Sequence, residues 1–256
     1  MRSMKKVIKV AGKLSLIATL AVCSAGSAKG VVAPPQAPLR GLQIPGVSNG
    51  SLEWTVLVLM TVLTVLPAIL LSMTPFVRLL VVLHFLRQAL GTQTTPTNQT
   101  LIGLSLFLTF FIMQPVGVQV YDAAIVPMEK GSVNALGALE LSAAPMRKFM
   151  LKYAREKDLA LFVELSKEPR PRTPDDLPMR VVLPAYMISE LKAGFQIGMV
   201  LFLPFLVIDL VVASITTSVG MFQLPPVVVS TPLKILLFVV VDGWHLVVGS
   251  LMKSFN

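Results

Sequence analysis

Apolar residues in this chain come in long unbroken runs, without the helical or alternating spacing of a half-buried element. Residues 54–77 carry no charge, and that run exceeds the roughly 20 residues a helix needs to span a bilayer. Pro67 is expected to kink this helix and Thr74-Pro75 to end it. Residues 76–90 are apolar apart from Arg78, His84, Arg87 and Gln88, and residues 91–98, GTQTTPTN, read as a loop. A second uncharged stretch, 88–121, has its apolar heart at 101–113 and an expected end at Pro115. Residues 181–221 are apolar again, too long for one span unless tilted, bent or partly outside the bilayer. Leu224-Pro225-Pro226 reads as a turn, and 232–255 as a final helix carrying Lys234, Asp242 and Lys253. The pattern predicts an all-α, membrane-associated protein.

Residues 119–182 break the pattern by mixing acids and bases throughout. They read as a small polar helical insert. Phe149, Leu151, Leu159, Leu161, Phe162 and Leu165 punctuate charges at helical intervals, which predicts a helix over 144–167. Residues 168–176, EPRPRTPDD, read as a loop by their prolines.

Composition agrees with the runs. Of 256 residues 54% are hydrophobic and 14% charged, against about 25% charged in soluble domains; mean hydropathy is +0.77. The net charge of +9 is concentrated at the start, in Arg2, Lys5, Lys6, Lys9 and Lys13. A short apolar run and small residues follow, the three parts of a secretory leader. Cleavage is expected after Ala28, with Ala25 second and a retained anchor as the alternative. Cys23 falls inside the leader, so the mature chain would have no thiol. No basic stripe with interleaved aromatics remains to bind nucleic acid. The expected organisation is a leader (1–28), a flexible Pro/Gly-rich arm (29–53), a first helical hairpin region (54–118), the insert (119–182) and a second hairpin region (183–256). A cleaved leader puts the arm and the insert outside the cytoplasm. The connector with Arg78 and Arg87 then lies inside, as the positive-inside rule favours.

Besides Lys253 near the end, five charges lie in the last apolar third: Glu190, Lys192, Asp209, Lys234 and Asp242. A charge in hydrocarbon costs about 2.5–3.5 kcal/mol on insertion scales. Glu190 and Lys192 are two apart and cannot pair on one helix face, so these residues are read as contacts between helices or between subunits. A proton relay through Glu190, Asp209 and Asp242 is the rival. Gly194-x-x-x-Gly198 permits close helix packing. Met221, Phe222 and Gln223 sit in an uncharged turn before two prolines, either a plain hairpin bend or a pore constriction. His84 and His245 lack ligand spacing, and no nucleophile–base pair is present. The expectation is a protein without catalytic residues, cofactor or metal.

Several motifs together resemble the FliP family: MTPFVR at 73–78, FLRQALGT at 85–92, LFLTFFIMQP at 106–115, LPAY at 183–186, SELK at 189–192, FQIG at 195–198, IDL at 208–210 and VDGW at 241–244. The resemblance runs from about residue 54 to the C-terminus. It implies a structural subunit of the flagellar type III protein export gate in the bacterial inner membrane and flagellum basal body. Copies of the chain would assemble with FliR- and FliQ-type subunits into a helical ring or cone of bent hairpins, beside other export-apparatus and basal-body proteins. Unfolded flagellar proteins would pass through it, with membrane lipid around it. Injectisome counterparts share most motifs but generally lack a long cleaved leader, which favours the flagellar branch. The family's turn before the double proline is typically a methionine run held to seal the gate; here only Met221 matches. Two alternatives stay open, an injectisome-type subunit and a small-solute or proton channel using the buried carboxylates.

Overall fold

The computed structural model describes residues 52–92, 94–166, 173, 176–221 and 225–255. Ala28 with its expected cleavage, nearly all of the arm, and Phe222 and Gln223 of the turn lie outside the described residues. The chain divides into two units, residues 1–68 and 69–256. What is described of the first is the body of helix α1 (Leu52–Ser72), which continues through Pro67. Its polar side chains hide themselves: Thr61 Oγ1 donates to the Leu57 carbonyl at 2.8 Å and Thr64 Oγ1 to that of Met60 at 3.1 Å. Its outward leucines and valines are exposed.

The second unit is helical, with no strand among the described residues. After the break at 73–75 come α2 (Phe76–Ala89), α3 (Asn98–Val120), a π-helical turn (Tyr121–Ile125), α4 (Val126–Glu129), α5 (Ala135–Tyr153), α6 (Glu156–Ser166), α7 (Met179–Ser218), α8 (Pro226–Val240) and α9 (Gly243–Lys253). At 40 residues, α7 is about 60 Å long, twice the hydrocarbon thickness of roughly 30 Å. Helices α2, α5, α6 and α8 pack along it. Its inner side is a stripe at spacing four, Val182, Tyr186, Glu190, Gly194 and Gly198, all buried, as the i±4 ridge of a packed helix requires. The facing stripe on α2 is Arg78, Val82 and Leu86, also buried. One core cluster joins α2 to α7 and α8 through Leu83, Leu86, Phe205 and Phe238. Another joins the insert to the start of α7 through Phe149, Met150, Val182 and Tyr186.

Helix ends follow local chemistry. Thr97 caps α3, its hydroxyl accepting from the Thr100 N–H at 3.3 Å, and Asn134 caps α5 through the Gly137 N–H at 2.8 Å. Gly220, at φ +79°, ends α7. The Met221 N–H reaches the Thr216 carbonyl at 3.1 Å and the Gly220 N–H that of Thr217 at 3.0 Å. That pair of bonds closes a helix only when a left-handed residue follows it.

Three boundaries differ from the sequence expectation. Pro115 lies inside α3 rather than at its end; a proline removes one backbone bond from a helix, and the apolar residues on both sides keep α3 going. The helix expected over 144–167 is two helices, because the backbone opens to β geometry at Ala154. There the Arg155 N–H donates to Ser189 Oγ on α7 at 2.9 Å. The single helix expected over 232–255 is α8 and α9, bent by 66°. Asp242 takes a left-handed φ of 51° at the corner. A Cβ on Gly243 would stand 2.2 Å from the Phe238 ring, so that corner is packed too tightly for any larger residue.

Residues 98–129 and 179–218 are each long and apolar enough to cross a membrane, and there are up to four such spans if each bent helix pair counts as one.

Candidate functional site

The charges within the apolar helices are where sequence and function meet. Glu190 is fully buried, and one of its oxygens accepts from Arg78 Nη2 on α2. The two side chains keep 1% and 8% of their exposure. The Arg78 guanidinium is held on three further sides. Its Cζ lies 4.0 Å from the Phe255 ring centroid and 5.9 Å from that of Tyr153, and Nη1 donates to Ser254 Oγ at 3.4 Å. Tyr153 closes the knot, donating its hydroxyl to the Phe255 carbonyl at 2.5 Å. Beside it Ser189 Oγ donates to Asp158 at 2.7 Å, and Arg155 donates to Gln196 Oε1. The end of α9, the start of α6 and the first turn of α2 are thus pinned to two turns of α7.

A second pair lies further along α7. Lys234 Nζ donates to Asp209 Oδ2 at 2.5 Å and Ser230 Oγ to Oδ1 at 2.6 Å. Ser230 and Lys234 are four apart on α8 and so share a face. Lys234 retains 4% of its side-chain exposure and Asp209 31%. The lysine is therefore the desolvated member, and the carboxylate sits at the rim.

The remaining expected positions fall elsewhere. Lys192 and Asp242 are exposed, and among the described residues neither has an ion pair. Met221 is at the tip of α7, 45% exposed. Gly194 and Gly198 face α2: an added Cβ would meet Val81 Cγ1 at 3.1 Å and the Phe85 ring at 2.6 Å. Replacing Gly198 with alanine is expected to cost about 1–3 kcal/mol, as overpacking does, because Phe85 is also held edge-on to Phe195 at 5.4 Å. The melting temperature of the detergent-solubilised chain reads this, with a smaller loss for Gly194→Ala.

Arg78 is the residue that loop-charge reasoning misplaced. It is not an exposed connector charge that orients the chain but a buried side chain of α2, and buried charges fall outside the positive-inside rule. Only Arg87 of that pair stays near the loop, its Nη1 donating to Asn98 Oδ1 at 2.6 Å. A sequence signal for Arg78 existed. Glu190 has no partner on its own helix face, and Arg78 and Arg87 are cations in an earlier apolar run with no local acid; which of the two would pair was not legible. Tyr153 and Phe255 gave no such signal.

With the inner charges paired, the outer face of α7 and α8 is apolar and bare. Leu203, Val207, Leu210 and Val211 on α7 and Val228, Leu236 and Val239 on α8 are all exposed. Apolar surface this continuous is covered in the working molecule, by lipid or by other protein. Among the described residues no group of three His, Cys, Asp or Glu side chains could hold a metal ion. The arrangement can bind and pack.

A family model described as the FliP family matches residues 59–251. The flagellar biosynthetic protein FliP of Pectobacterium carotovorum subsp. carotovorum is 51% identical over 228 residues, which cover 86% of this chain and 88% of its own. That of Bacillus subtilis (strain 168) is 50% identical over 207 residues, 81% of this chain and 94% of its own. That of Caulobacter vibrioides is 53% identical over 198 residues, 77% and 74%.

Proposed function

The chain belongs to the FliP family, and from that premise we propose that it is a structural subunit of the flagellar protein export gate in the bacterial inner membrane. Several copies, with FliR- and FliQ-type subunits, enclose a conduit for unfolded flagellar proteins, and the insert lies on the periplasmic side at the basal body. The observation that carries this is the pairing of Glu190 with Arg78 and of Asp209 with Lys234 inside the chain, which leaves long apolar faces for neighbours. The insert is docked on the first turns of α7. If the insert is periplasmic, that end of α7 stands outside the bilayer as well, which accounts for a helix twice the membrane's thickness. In this reading Met221, at the tip of α7, lines the constriction together with its sequence neighbours Phe222 and Gln223.

A photo-crosslinking residue at Met221, in cells exporting a substrate that stalls in transit, is expected to capture that substrate. Capture of lipid or detergent alone would overturn the conduit reading. A relay through Asp209 is the rival, since that carboxylate is the less buried member of its pair. Asp209→Asn leaves the Lys234 ammonium desolvated without its counter-charge. The expected result is a loss of assembled complex on native gels. A relay predicts the opposite, full assembly with lost flux.

A further inference from the structure

A mostly apolar cavity of about 480 Å³ opens between α2, α7 and α9. Val82, Ile197, Leu201 and Leu251 form its walls, and Gln196 and Ser250 are its polar lining residues. Its size falls within the roughly 300–1,000 Å³ of small-molecule sites. The two long walls run antiparallel. At one end Trp244 of α9 meets Phe238 edge-on, and Phe238 packs against Phe205 of α7. At the other, Ser254 and Phe255 meet Arg78, the partner of Glu190.

Cations gather at that second end. Lys192 is one turn beyond Gln196 on α7, and Lys253 is one turn beyond Ser250 on α9. Spacings of four and three keep each on the face its helix turns to the groove. Both are exposed. Arg155 reaches the same end from the insert and holds Gln196. Among the described residues none of the three has an ion pair, and Glu190, two positions from Lys192, is turned to Arg78 on another face.

An apolar trough ending in three cations without ion pairs, with the nearby Asp158 carboxylate taken up by Ser189, is complementary to an anionic amphiphile. An apolar helix from another chain would fill the trough and leave the cations facing each other. A zwitterionic lipid would bring a further ammonium to them. We propose that this groove binds one anionic phospholipid, its acyl chain along the α2–α7–α9 floor and its phosphate between Lys192, Lys253 and Arg155. The lipid comes from the leaflet on the insert's side. This rests on the reading of the chain as a membrane subunit and is independent of the conduit.

Native mass spectrometry tests it on the complex purified from membranes in mild detergent and titrated with phosphatidylglycerol or phosphatidylcholine. Lipid is counted per chain, so the reading is made on whatever assembly survives. A missing lipid then counts against this proposal alone, and a missing oligomer against the preceding one. The expected result is one phosphatidylglycerol per chain, favoured by about tenfold or more over phosphatidylcholine given two lysines at the headgroup. The Lys192→Gln, Lys253→Gln double variant should lose the preference, and Val200→Trp, which fills the trough from another of its lining positions, should lose both lipids. Equal retention of the two lipids, or an unchanged preference in the double variant, overturns it. So does capture of a neighbouring copy by a photo-crosslinking residue placed at Ser250, since protein would then occupy the groove.

Discussion

Glu190→Ala is expected to remove the assembled complex from membranes and to lower the amount of the chain itself. The carboxylate is fully buried and is the counter-charge of Arg78. Without it a guanidinium remains among Tyr153, Phe255 and the α2–α7 core, with aromatic faces but no anion. Removing one member of a buried pair costs about 3–5 kcal/mol, because the other stays charged and desolvated. Total stabilities of domains are only about 5–15 kcal/mol, so such a loss takes a large share. Arg78→Leu with Glu190→Leu removes both charges at once. This double variant is expected to recover more complex than either single variant, since an apolar pair of similar volume has no unmet charge. Blue-native gels and membrane immunoblots read both effects. A Glu190→Ala chain that assembles normally would mean that Arg78 finds water or another anion.

The second large effect is expected at the far end of the chain. Phe255 is 6% exposed, lies 4.0 Å from the Arg78 Cζ and meets the Tyr153 ring at 5.2 Å. Phe255→Ala should cost about 3–5 kcal/mol for the lost volume. It also opens a path for water to the ion pair, since the ring covers the guanidinium. Phe255→Leu keeps most of the volume and loses the π face, worth about 2 kcal/mol when desolvated. An intermediate phenotype in complex yield and melting temperature is therefore expected. A chain stopped after Lys253 should resemble Glu190→Ala, because Ser254 and the Phe255 carbonyl are also contacts in the knot. Equal stability of all these variants would show that the knot is not what holds α9 to α2.

The elements that could be read from sequence are those whose cause is local. The uncharged runs, the forty-residue α7, and the glycine and proline signals around 220–226 each have a reason within a few residues. The splits at Ala154 and Asp242 do not. Neither residue is a strong breaker, and the backbone turns at those points because distant groups require it, Ser189 in one case and the Phe238 ring in the other. Pro115 failed as a stop for the converse reason, since a local rule for helix ends yielded to packing on both sides. The charges were legible as a set needing partners, but the pairing was not. Glu190 with Arg78 spans 112 positions, and only the absence of an acid near Arg78 hinted at it. Lys192 and Asp242 belong to the same sequence pattern as Glu190 and Asp209, yet stand exposed. A helix face, unlike a composition, is decided by which neighbour arrives.

Cryo-electron microscopy of the complex extracted from membranes addresses the proposed assembly most directly. A closed ring of copies, with the apolar faces of α7 and α8 against sister helices and Met221 toward a central channel, is the predicted result. Isolated chains with those faces ringed by lipid, and Met221 far from any axis, would contradict it.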